Sequence, residues 1–205
     1  MSELPGDDDS HLREHALSSK LLLKGNFLEV RVDTVRLPDG TAATREYIKH
    51  PGAVAVLPLL DDGRVLLERQ FRYPVGQVIL EIPAGKIETG EPTLVCAARE
   101  LREETGYVAR EWAFACKVHN AAAYADEVIE IWFARALSGG AQSLDVGEFI
   151  QLCHVTVDEF EAAAASGEIT DVKTLVALLW SQKWRAGLWP LRWQAAPVLP
   201  PPIMR

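Results

Sequence analysis

The stretch Gly85–Tyr107, GKIETGEPTLVCAARELREETGY, decides how this chain is read. Pro92 favours a helix start, Leu94, Ala97, Ala98 and Leu101 recur behind it at helical spacing, and Gly106 supplies a stop. At about 100° per residue, Glu100, Glu103 and Glu104 share one stripe beside the apolar row. They crowd the last two turns, where the helix dipole favours cations, and Glu100 and Glu104 form a like-charge i,i+4 pair costing on the order of 0.2–0.5 kcal/mol. Arg99 and Arg102 offset part of that repulsion, so a solvated charged face is one reading. A hard divalent cation answers the conflict better: Mg²⁺ accepts a few carboxylates, keeps several waters and shares its remaining positions with substrate phosphates.

The rest of the composition narrows the partners. With 205 residues and 48% hydrophobic content, the chain can bury one full core with a small extension. A net charge of −8 and the absence of any Lys/Arg cluster argue against nucleic acid, leaving a small-molecule substrate. Cys96, Cys116 and Cys153 are widely spaced in apolar surroundings and read as reduced core thiols. The polar start MSELPGDDDSHLREH carries no apolar leader and no membrane-length apolar run occurs, so the expectation is a soluble, cytoplasmic protein. Asp7-Asp8-Asp9 reads as part of a solvated tail.

Outward from the central stretch, β-prone runs dominate. Phe27–Val35 and Ala42–Ile48 flank a Leu37-Pro38-Asp39-Gly40 turn. Gly52–Leu59 and Arg64–Arg72, joined by Asp61-Asp62-Gly63, read as a hairpin. Val78–Pro83 leads into Ala84-Gly85, where a glycine turn lets backbone carbonyls approach a ligand. Glu111–Val118 and Val128–Ala136 are strands joined by His119–Glu127, and Glu148 opens another. Asp158 is a plausible cap for one helix, and a last amphipathic helix runs from about Asp171 to Lys183. Trp180, Trp184, Trp189 and Trp193 form an aromatic set that packs on the body or on a partner subunit, before an irregular end at Pro197–Pro202. The expected parts are a loose tail over residues 1–16, a β extension over 17–50, a catalytic domain over 51–185 and a Trp/Pro-rich tail over 186–205.

Gly85, Glu91 and Arg99-Glu100-Leu101-Arg102-Glu103-Glu104-Thr105-Gly106 resemble the Nudix box, G-x5-E-x7-R-E-U-x-E-E-x-G-U with U aliphatic. Every fixed position is met, and only the final aliphatic place differs, being Tyr107. From about Lys24 to Trp180 the chain is similar to the ADP-ribose and nucleoside-diphosphate-sugar pyrophosphatases of that family. The resemblance implies an α/β/α sandwich with a mixed sheet, an N-terminal β-sheet extension, and a homodimer built through that extension.

It also implies Mg²⁺-dependent (or Mn²⁺-dependent) hydrolysis of a nucleoside-diphosphate-linked substrate such as ADP-ribose to two phosphomonoesters. Another derivative, such as GDP-mannose or a dinucleoside polyphosphate, and a non-catalytic nucleotide-sugar sensor are the competing readings. By resemblance Glu100 and Glu104 bind metal with the Ala84 carbonyl, Glu103 is a second ligand or positions water, and Arg99 with Glu91 fixes the loop on the helix between Gly85 and Gly106. Glu148 matches a further metal-binding or water-activating glutamate; the acid often found two residues earlier is Val146 here, so Glu148, Asp145 and Glu103 all stand as general bases. Arg72, in Gln70-Phe71-Arg72, holds the diphosphate or is an exposed strand-end arginine, and Arg45 is a weaker case of the same kind. Glu81 faces the site or points outward. In the subgroup the loop after the box reads S-P-G-x-[ST]-D-E; here Asn120–Glu127 keeps Asp126-Glu127 and lacks Pro-Gly. Glu127 can still reach the substrate, and Tyr124 stacks on it or anchors its own loop.

Overall fold

The computed structural model describes residues 9–199, so the expectations for Asp7-Asp8 and for the prolines after Leu199 lie outside the described residues. The chain forms two compact units, one running to His50 and taking in Ala121–Glu127, the other comprising Pro51–Asn120 and Val128 onward.

The first unit is an antiparallel meander of β1 (His15–Lys24), β2 (Glu29–Arg36) and β3 (Ala42–Lys49). The β2–β3 turn is set by Asp39, whose carboxylate accepts from the Thr41 amide at 2.9 Å and from its hydroxyl at 2.6 Å. Residues Ala121–Glu127 add to the end of β3: Ile48 donates to Tyr124 O at 2.8 Å and accepts from the Asp126 amide at 3.2 Å. β1 begins at His15, inside the stretch read from sequence as loose, and all ten of its residues are exposed.

In the second unit the elements are β4 (Ala53–Pro58), β5 (Val65–Arg72), β6 (Gln77–Glu81), β7 (Ala84–Lys86), α1 (Thr93–Thr105), β8 (Val108–His119), β9 (Val128–Ser138), β10 (Ile150–Val155), α2 (Val157–Ser166), α3 (Val172–Arg185) and β11 (Trp193–Ala195). A mixed five-stranded sheet runs β11-β8-β9-β4-β7, with β4 and β9 parallel; an antiparallel sheet runs β10-β5-β6. All six residues of β4 are buried, as an uninterrupted apolar run requires. Alternate side chains leave a strand on opposite faces. Accordingly Val54 and Val56 pack with Cys96, Ala97 and Leu101 of α1 and with Trp112 and Trp132. Ala55 and Leu57 pack with Leu67, Phe133, Phe160 of α2 and Ala177 of α3. The sheet is thus covered by α1 on one face and by α2 and α3 on the other, the α/β/α arrangement.

Three local expectations are corrected. β4 and β5 do not form a hairpin; they meet at the single bridge Leu59 to Val65, because the buried backbone of β4 takes its hydrogen-bond partners along its two edges from β9 and β7. The cap of α2 is Thr156 rather than Asp158: its hydroxyl accepts from the Glu159 amide while Glu159 returns to the Thr156 amide at 2.7 Å. The segment after residue 186 is partly a strand, since β11 pairs with β8. The tryptophans pack on the body, Trp184 edge-on to Phe133 at 6.3 Å and to Trp193 at 5.8 Å, with the Arg135 guanidinium 3.9 Å over the Trp193 ring.

Leu101 is fully buried between α1 and the sheet and carries the acidic stripe on its helix. Leu101→Ala should cost about 2–5 kcal/mol of unfolding free energy in urea denaturation.

Candidate active site

The loop Lys86–Pro92 and helix α1 place the acids. α1 starts after Pro92, whose φ of −64° and ψ of 139° set the entry, and ends at Gly106 with φ of 74°. A side chain at Gly106 would meet the backbone of Gly140 and Ala141 at 2.5–2.8 Å, so both the left-handed cap and the close approach exclude any other residue. Tyr107 turns its ring into the α1 core cluster and brings its hydroxyl 3.2 Å from His154 Nε2, which accommodates an aromatic at an aliphatic place.

Arg99 is the centre of the cluster. Its Nε and Nη2 hold both oxygens of Glu91 at 2.9 Å, and its Nη1 reaches Glu100 at 2.8 Å and Glu103 at 3.1 Å. Glu91 in turn accepts from the Glu88 amide at 3.1 Å, so one guanidinium ties the loop to the helix. The Arg99 hydrogen bonds hold Glu91 below the usual carboxylate range. Burial pushes Glu100 the other way, up to about 7, against the attraction of Arg99. Glu104 is 3% exposed and accepts from the Ala84 amide at 3.0 Å; burial, then Glu68 and Glu100, raise it well above its ordinary value. A methyl group on Gly85 would overlap the Glu100 carboxylate, so glycine there makes the room this acid occupies.

The antiparallel sheet supplies the opposite wall. Glu68, Gln70 and Arg72 alternate along β5 and share one face. Gln70 donates to Glu148 at 3.2 Å, and the other Glu148 oxygen accepts from the Asp145 amide at 3.3 Å in the turn before β10. Arg72 donates from Nε to Glu81 at 2.7 Å, and Lys173 of α3 reaches the other Glu81 oxygen and Asp171 at 3.0 Å. Glu81 is therefore buried inward, 1% exposed. A cavity of about 400 Å³ opens beside this pair, lined by Arg72, Glu81, Asn120, Asp171 and Lys173.

The second wave of sequence candidates lies in the other unit. Arg45 is held bidentately by Glu14, Tyr124 is 59% exposed, and Glu127 lies 3.5 Å from His50 Nδ1 while neighbouring Asp126 binds Lys49 and the His50 amide, both at 2.7 Å. Two site residues escaped the sequence reading: Glu68, fully buried, and Lys173, 7% exposed. The period-2 pairing of Glu68 with Gln70 and Arg72 was a usable signal for the first; a lysine in an amphipathic helix gives none.

Hard oxygen donors in this number suit a divalent cation. Among the described residues no three His, Cys, Asp or Glu side chains form a ready-made cage. Such a cation needs only one or two carboxylates, because waters and substrate phosphates complete its shell. Glu100 and Glu104, with the gap that Gly85 leaves for a carboxylate, fit that demand.

The Nudix domain family matches residues 49–176, and the nucleoside diphosphate sugar hydrolase N-terminal domain matches residues 14–48. The chain belongs to the Nudix family. Within it, this hydrolase is 38% identical over 83% of its length to an ADP-ribose pyrophosphatase of Bacillus subtilis, covering 94% of that protein. It is 36% identical over 82% of its length to a methanol dehydrogenase activator of Bacillus methanolicus, covering 92% of it. A crystal structure of an ADP compounds hydrolase shares the fold, with a TM-score of 0.76 at 20% identity over 86% of this chain and 96% of that one.

Glu100, Glu68 and Glu104 all take up protons more readily folded than unfolded. A raised carboxyl stabilises the fold below its unfolded value, near 4.5, and that stability is lost as pH rises through its folded value, about 7 for Glu100. In EDTA the melting temperature should therefore fall between pH 4.5 and 7, and Glu100→Gln should flatten that slope in calorimetry.

Proposed function

We propose that this Nudix hydrolase cleaves the diphosphate of ADP-ribose, or of a closely related nucleoside-diphosphate sugar, to two phosphomonoesters in a Mg²⁺-dependent reaction. The observation that carries the reading is the similarity to the ADP-ribose pyrophosphatase of Bacillus subtilis, 38% identical over 94% of that protein, together with the match of an N-terminal domain of nucleoside diphosphate sugar hydrolases. The intact acidic stripe on α1 supports catalysis over sensing.

Glu100 and Glu104 would hold the cation, with the Ala84 carbonyl beside them and Glu103 positioning a water. Bound Mg²⁺ supplies neutralisation of charge on the phosphoryl oxygens and a more acidic water. The residues of the chain do the rest. Arg99 keeps Glu100 and Glu103 at fixed positions on the helix. Arg72, held at Nε by Glu81, has its remaining guanidinium nitrogens for the diphosphate. Glu148 is the proton acceptor for the attacking water in this reading: it sits in a turn, fixed by Gln70 and the Asp145 amide, whereas Glu103 is paired with Arg99. Arg45, Tyr124 and Glu127 are proposed as substrate-binding residues, and Gly85, Glu91 and Gly106 to keep the motif's shape.

A coupled phosphatase assay over ADP-ribose, GDP-mannose, a UDP-sugar, a dinucleoside polyphosphate and nucleoside triphosphates tests the reading. ADP-ribose should give the highest kcat/KM, Glu104→Gln should abolish Mg²⁺-dependent turnover in a folded protein, and Glu148→Gln should lower kcat by about 10²–10⁴-fold. No turnover on any of them, with one bound tightly, would make the chain a sensor.

We also propose a cytoplasmic homodimer. Its support is β1, where Leu17, Leu21, Leu22 and Leu23 are 43–56% exposed on a strand that pairs on one side only. Among the described residues no helix is long and apolar enough to cross a membrane, and Cys96, Cys116 and Cys153 are free thiols. Light scattering should give twice the chain mass for the wild type and the chain mass for Leu21→Glu/Leu23→Glu; a wild-type monomer would overturn the dimer.

A further inference from the structure

Glu68 is not part of the box, yet it is the most exceptional acid of the second unit. It is fully buried, and among the described residues it is the carboxylate whose two oxygens are both buried without a hydrogen-bond partner. Its neighbours are all provided for. Glu81, its register partner on β6, takes Arg72 and Lys173; Glu104 takes the Ala84 amide; Glu148 takes Gln70. Arg72 and Lys173, the cations that attract Glu68, are both committed to Glu81.

An isolated buried carboxylate is costly unless something compensates it, and a second carboxylate directly across the strand pair adds repulsion. Packing does not explain the choice, since a leucine of similar size would fill the position without a buried carboxyl whose two oxygens lack partners. The position also has a direction. Glu68 lies on the face of β5 that carries Gln70 and Arg72, and Gln70 on that face reaches Glu148 at 3.2 Å. Its unpaired oxygens therefore belong to the face that meets Glu148, the acid proposed to take the proton of the attacking water.

We propose that Glu68 is a further ligand, from strand β5, of the divalent cation held by Glu104. This rests on the hydrolase reading, which places a cation there. The function it adds is a donor on the wall opposite the helix, so that the cation spans α1 and the antiparallel sheet instead of resting on the helix alone. A cation held from both walls uses fewer water ligands, and one acid that the fold leaves unpaired becomes paired on binding.

The test is Mn²⁺ titration by calorimetry without substrate, on the wild type, Glu68→Gln and Glu68→Asp, with Tm measured with and without the metal. Expected is a Kd raised about 10-fold or more by Glu68→Gln and less by Glu68→Asp, with a smaller Mn²⁺-induced rise in Tm. Metal-free Glu68→Gln should melt no lower than the wild type. Should Glu68→Gln fail to fold, Glu68→Asp decides: a Kd raised about 3-fold or more supports the assignment, and an unchanged one overturns it. Unchanged Kd in Glu68→Gln, with Glu104→Gln binding weakly, overturns the role of Glu68 and leaves the hydrolase reading intact. A wild type that binds no Mn²⁺ overturns both.

Discussion

The carboxylates crowded around one hollow must be held against their own repulsion, and the guanidinium of Arg99 is the contact on which that depends. It bonds to Glu91, Glu100 and Glu103 at once and also reaches the Lys86 carbonyl at 3.3 Å. A lysine could not do this, because its point-like ammonium lacks the planar fork that holds Glu91 with two parallel bonds while a third nitrogen face serves the helix acids. The loop Lys86–Pro92 has no regular structure of its own beyond Lys86, so its shape is inherited from this arginine and from the Glu91 bond to the Glu88 amide. The mixed sheet matters to the site chiefly as the support that fixes the helix bearing Arg99.

That support and the acids make opposite demands. The helix must bury Cys96, Ala97, Ala98 and Leu101 to stay on the sheet, and burying that face draws Glu104 in with it. The result is a set of carboxyls that prefer to be protonated, Glu100 near 7 and Glu104 and Glu68 higher than their ordinary value. Such an arrangement is unfavourable for an empty fold and favourable for one that receives positive charge. Stability given up at the site is recovered in the paired apolar cores beneath it.

The helix and its acids were legible because both announce themselves locally: an apolar period, a terminal glycine and three glutamates at fixed offsets. The strand runs of β2, β3, β4, β5, β8 and β9 were legible for the same reason. What failed was pairing. Asp61-Asp62-Gly63 turns the chain as read, but whether two strands joined by a turn bond to each other depends on what else needs them, and β4 needed β9, more than sixty residues away. The short strands β7 and β11 carry too few residues for a period to show, and β1 lies in HALSSKLLLK, where no alternation separates an inner from an outer face.

The site was legible in proportion to how much of it is one segment. The acidic stripe Glu100, Glu103 and Glu104 could be placed from helical spacing, whereas the tie between Glu91 and Arg99 was expected only through resemblance. Arg72, Glu81 and Glu148 could be named only through resemblance, because the strand face each occupies is fixed by register with partners that are distant in sequence. Lys173 gave no signal, and Glu68 gave only its place in the period-2 set with Gln70 and Arg72. Each is made important by the other's neighbour: Lys173 and Arg72 neutralise Glu81, and by doing so they leave Glu68 the acid without a partner. That the carboxyl of Glu68 is left over after its neighbours have paired is a property of the assembled hollow and of no single stretch of sequence.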